Sequence, residues 1–134
     1  MNTLRTQLIA LALFAISLGS AHAARPTQDK AEASHIVVGT VRNVFKSVGE
    51  KYTSYAVLLN IKEVQKGDGL EVGKLFYTYC YQRNPIKGNG PIEPGSIGHS
   101  AVPKKGQRIK VFVNRGIGLW EGVYPHWFEA APEK

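Results

Sequence analysis

The sequence predicts an all-β domain after a cleaved signal peptide: a sandwich of four or five strands or, as long strands and a glycine inside the first of them favour, a small barrel. Three observations carry that prediction. Segments rich in β-branched and aromatic residues recur after residue 34 with a period near two. Glycine-rich turns separate them, and no stretch beyond the first 23 residues holds a sustained helical period. At 134 residues the chain suits one domain with a single core.

The first segment is an address rather than structure. A short polar start with Arg5 precedes an apolar run of eleven residues at 8–18, and Ala21-His22-Ala23 closes it. A charged start, an apolar middle and an Ala-x-Ala close are the parts of a secretory signal peptide. The run is shorter than the roughly 20 residues a membrane-spanning helix needs. Cleavage is expected between Ala23 and Ala24, leaving a protein without a transmembrane segment in the periplasm or outside the cell. No cysteine stands at the cut, so no lipid anchor is expected there.

The remaining 111 residues carry 16 basic and 10 acidic side chains, a formal charge of +6. Residues 24–34 read as a polar leader or a short helical turn, and 35–134 as one β domain. Ile36 to Phe45 forms the first strand, with Gly39 inside it marking a bulge or bend. The second, 52–64, alternates most clearly: Tyr55, Val57, Leu59 and Ile61 share one face. Gly67 and Gly69 supply the following turn.

The third strand, 74–82, places Leu75, Tyr77, Tyr79 and Tyr81 on one face and Phe76, Thr78 and Cys80 on the other. Periodicity separates the faces without saying which points inward. Residues 83–106 hold four prolines and five glycines, which deny a regular element over most of that length. Loops so long are commonly functional. The fourth strand is 107–114, and 116–130 reads as a closing hairpin or strand with Trp120 and Trp127 as plugs.

The run His35-Ile-Val-Val-Gly-Thr-Val, then Tyr55-Ala-Val-Leu-Leu-Asn-Ile-Lys-Glu-Val-Gln-Lys-Gly67, then Gly73 before a strand, resembles netrin-like domains. These are also known as tissue-inhibitor-of-metalloproteinase-like domains, and they have bacterial secreted relatives. The likeness covers about 34–113 and implies an OB-type five-stranded barrel. The animal inhibitors chelate a protease zinc through an N-terminal cysteine held by disulfides. Here the expected N-terminus is Ala24 and the chain has one cysteine, so the likeness implies the barrel alone.

Length excludes a two-domain dehydrogenase, a (β/α)8 barrel and a kinase, and a lone cysteine excludes a disulfide framework or a Cys-rich zinc site. No Gly-x-Ser-x-Gly elbow, phosphate loop or His-x-x-x-His spacing is present, so no catalytic residue, metal site or cofactor is assigned. Cys80 with His99 or His126 is the one conceivable nucleophile pair. Against it, a cysteine inside a strand behaves most often as a small buried hydrophobe.

The expected function is therefore a non-enzymatic binding module, recognising a protein through the 83–106 loop. The alternative is an anionic or glycan polymer of the cell envelope, stacked on the tyrosine face; export argues against nucleic acid. Candidate binding residues are Tyr77, Tyr79, Tyr81, Arg83, Lys87, Lys104 and Lys105.

Overall fold

A computed structural model describes residues 25–85, 97–116 and 118–133 of the chain. The signal peptide expected at 1–23 and the tip of the long loop, with Lys87, lie outside the described residues. Six strands run in order: β1 His35–Val48, β2 Tyr52–Lys66, β3 Leu75–Arg83, β4 Arg108–Arg115, β5 Trp120–Gly122 and β6 Phe128–Ala130. The only helical turn among the described residues is a 3-10 turn at Lys30–Glu32. No helix among them is long and apolar enough to cross a membrane.

The five strands β1-β2-β3-β5-β4 close on themselves, because β4 pairs back onto β1. β6 adds to β4 beyond the barrel. The expected five-stranded barrel is thus complete, and closure removes most of the open sheet edge. Every junction is antiparallel except β3 to β5, which pair in parallel through Thr78–Tyr79 and Trp120–Glu121.

Alternation fills the interior. Val37 and Val41 from β1, Val57, Leu59 and Ile61 from β2, and Ile109, Val111 and Val113 from β4 are all buried at the barrel axis. On β2 the face of Tyr55, Val57, Leu59 and Ile61 is the one that turns inward. β1 curls because its register with β2 slips three times, between Ile36 and Val37, between Val38 and Gly39, and between Val41 and Asn43. At Gly39 a Cβ would lie 2.7 Å from the Asn60 carbonyl oxygen, so only glycine lets the two backbones approach.

The slip between Val41 and Asn43 leaves Arg42 as an extra residue and exchanges the parity of β1. Val41 faces inward, but beyond the bulge Val44 does, opposite Val57. Phe45 is consequently turned out to solvent.

The chain's end does not form a hairpin. β5 and β6 both line β4, and between them Trp127 plugs one mouth of the barrel, fully buried. Its indole N–H donates to the Ala101 carbonyl at 3.0 Å. Gly122 makes room for it, since a Cβ there would lie 2.7 Å from the indole ring. Trp120 is only half-buried.

The polar leader is built into the barrel. Gln28 exchanges two hydrogen bonds with Tyr124, backbone N–H to carbonyl at 2.7 Å and, in return, Tyr124 N–H to the Gln28 side chain at 2.9 Å. Asp29 caps the 3-10 turn by accepting from the Ala31 N–H, and Ala33 is fully buried in the core.

Candidate binding surface

The β2–β3 register decides the faces of the third strand. Phe76 pairs with Leu59, Thr78 with Val57 and Cys80 with Tyr55, so these three follow the β2 core residues inward. Leu75, Tyr77, Tyr79, Tyr81 and Arg83 are left on the outer face. Leu75 and Tyr77 are 57% and 49% exposed, which settles the direction of the tyrosine ladder.

Read across the three strands, this outer face consists of short rows. Asn43, Leu58 and Tyr77 form one; Phe45, Ala56 and Tyr79 the next; Ser47, Ser54 and Tyr81 the third. None of these positions is acidic. The Phe45 ring, 48% exposed, sits 6.2 Å from that of Tyr77, a pair of aromatic faces open to a partner. Tyr79 is half-buried and its hydroxyl bonds the Ser54 hydroxyl at 2.8 Å.

Tyr81 belongs to a different assembly. Its hydroxyl accepts from Arg25 at 3.2 Å, and its ring packs edge-on against Tyr52 and His99 and parallel to Tyr124 at 6.5 Å. The Arg25 guanidinium lies over both Tyr81 and Tyr124 and also donates to the Glu121 carboxylate. Tyr81 is thus engaged by its own chain and does not present a bare ring. Arg83 is half-buried where β3 meets Tyr52, and its N–H donates to the Ile97 carbonyl at 3.0 Å.

Lys104 and Lys105 are exposed on the turn that leads into β4. That turn docks on β1: Gly106 N–H donates to the Val41 carbonyl at 2.7 Å, and Val41 N–H donates to the Gln107 carbonyl at 2.9 Å. Two lysines remote in sequence from the tyrosines are so carried on a turn docked at Val41, the residue before Arg42. The candidates therefore divide: Tyr77, Lys104 and Lys105 are open to solvent, Tyr79 and Arg83 partly covered, Tyr81 occupied. Phe45, Leu58 and Arg42 complete the surface and were not singled out by sequence reasoning. The β1 bulge hides the parity of Phe45 from a simple alternation rule.

Cys80 is fully buried, and burial pushes its thiol up to about 12, so it stays protonated and unreactive at neutral pH. The histidines are engaged elsewhere. His99 is buried; its Nε2–H donates to the Gly122 carbonyl at 2.8 Å and its Nδ1 accepts the Tyr81 N–H at 3.2 Å. Burial pushes its pKa down. His126 bonds the Ser100 hydroxyl through Nδ1 at 3.0 Å, and His35 bonds Ser34 and the Asp68 carbonyl. Among the described residues, no three His, Cys, Asp or Glu side chains gather in a way that could hold a metal ion.

No protein-family model matches the chain, and no curated protein or solved structure matches it either.

Proposed function

We propose that the protein is a small exported, non-enzymatic binding module that recognises a protein partner through the outer face of β1, β2 and β3. The observation that carries this reading is the outward pair Phe45 and Tyr77, in three rows of sheet residues of which none is acidic. Exposed aromatic side chains, clustered on a rigid sheet, are what recognition surfaces are enriched in. A protonated, buried Cys80 and engaged histidines support a non-catalytic role.

The long loop enters this reading through its described ends, Arg83 and the turn of Lys104 and Lys105, which flank the face. A second reading, an anionic or glycan polymer stacked on the same face, draws support from those lysines and Arg42. One experiment separates the two. Immobilised protein, with Tyr77→Ala and Phe45→Ala variants beside it, is challenged with envelope and culture fractions at low and high salt. A discrete protein held at high salt by the native chain and lost by both variants is the expected result. Retention of anionic polymer alone, released by salt, favours the second reading. Equal retention by native and variant proteins sinks both.

A further inference from the structure

β1 is longer than the strand that closes it. Its pairing with β4 runs from His35 to Thr40 and stops, and the Gly106 turn seals the edge at Val41. Pairing with β2 continues to Val48. The stretch from Asn43 to Val48 therefore has β2 on one side, and no strand among the described residues on the other.

Hydrogen-bond parity shows which groups this edge offers. At the hairpin end Gly49 N–H donates to the Tyr52 carbonyl, so Ser47, Phe45 and Asn43 direct their backbone groups toward β2 by strand alternation. Val44, Lys46 and Val48 direct theirs to the open side. Val44 confirms it, because its N–H is taken by the Asn43 side chain at 2.9 Å rather than by a strand. From Phe45 to Val48 every residue is exposed. The edge thus presents ladder groups at Lys46 and Val48 to solvent, with the Phe45–Tyr77 pair on its outer flank.

Exposed edges are commonly guarded by lysine and by bulges, and this one has Lys46 and the Arg42 bulge. Those charges also select an occupant. Arg42, Lys46, Lys104 and Lys105 lie on or beside the edge, and no acidic residue falls between 42 and 48. Two copies paired through this edge would set like charges together. An acidic strand would meet opposite ones.

From this geometry we infer that the β1 edge from Asn43 to Val48 receives an extended acidic segment of another protein, which adds as a further strand. The inference rests on the reading of the outer face as the recognition surface, and names the partner's form and charge. Main-chain bonds to Lys46 and Val48 supply register, Phe45 and Tyr77 take apolar side chains of the added strand, and the four basic residues pair with its carboxylates.

The test uses purified protein and a ten-residue peptide alternating Val and Glu. Its controls are the same peptide with its central backbone nitrogens methylated, and one with Lys in place of Glu. Binding of the Val-Glu peptide should slow amide exchange at Lys46 and Val48 at least tenfold. Methylation, the Lys peptide and Lys46→Glu should each weaken binding at least tenfold. Equal affinity for the methylated peptide overturns strand addition and leaves the face reading intact. Equal affinity for the Lys peptide overturns the acidic partner. Unchanged affinity in Tyr77→Ala and Phe45→Ala, with protected Lys46, removes the face and keeps the edge. A dimer that protects Lys46 without peptide assigns the edge to a second copy and overturns the inference.

Discussion

Arg25 and Glu121 are joined across the barrel mouth: the guanidinium donates to the carboxylate while lying over the Tyr81 and Tyr124 rings. The leader is thereby clamped to β5 and β3, two elements whose strand pairing is confined to Thr78–Tyr79 and Trp120–Glu121. Both partners keep about a third of their side-chain surface in water, 29% and 32%, so solvent screening limits the contribution.

Arg25→Ala should cost about 1 kcal/mol, from a screened ion pair and its cation–π contacts together. Urea unfolding measures it. Limited proteolysis should show earlier cleavage within 25–33 in the variant than in the native protein.

Neighbours on β3 should respond in opposite ways. Phe76 faces the core, and Phe76→Ala should destabilise by about 3–5 kcal/mol. Tyr77→Ala should change stability by less than about 1 kcal/mol, because half of the ring is already in water. A Tyr77→Ala variant as unstable as Phe76→Ala would return the tyrosine face to the core.

Stability should fall on the acid side because of His99. Burial lowers its folded pKa below the ordinary 6.5, and nearby Arg25 acts in the same direction while Glu121 opposes it. Below about pH 6.5 the unfolded chain therefore binds the proton more readily than the folded one, and stability drops as pH falls. The urea midpoint should be lower at about pH 5 than at about pH 7.5. A His99→Gln variant should lose most of that difference.

Cys80 should resist alkylation in the folded protein at mildly alkaline pH and react fully once denaturant is added, since its thiol is pushed up to about 12 by burial. Rapid labelling of the native protein would contradict the inward position of the Phe76, Thr78 and Cys80 face.

The first four strands, the all-β class and the two faces of β2 and of β3 were legible in residue order, because a period of two is a local property. The barrel was legible too, from Gly39 and the lengths of the first two strands. Other features were not local. The direction of the two faces of β3 was open in the sequence, and the register with Val57 and Leu59 awards the interior to Phe76, Thr78 and Cys80.

The bulge at Arg42 was equally silent in the alternation. One extra residue reverses every position after it, and it is this slip that sends Phe45 out to meet Tyr77. The three tyrosines looked equivalent in sequence; the folded chain divides them, because Arg25, 56 residues away, closes over Tyr81 and leaves Tyr77 open. Lys104 and Lys105 likewise acquire a neighbour only when Gly106 docks on Val41. Residue order thus specified the first four strands and their two faces. Which face is buried, and which distant residues share the other, depended on register and closure, since burial is a property of the whole barrel and of no single strand.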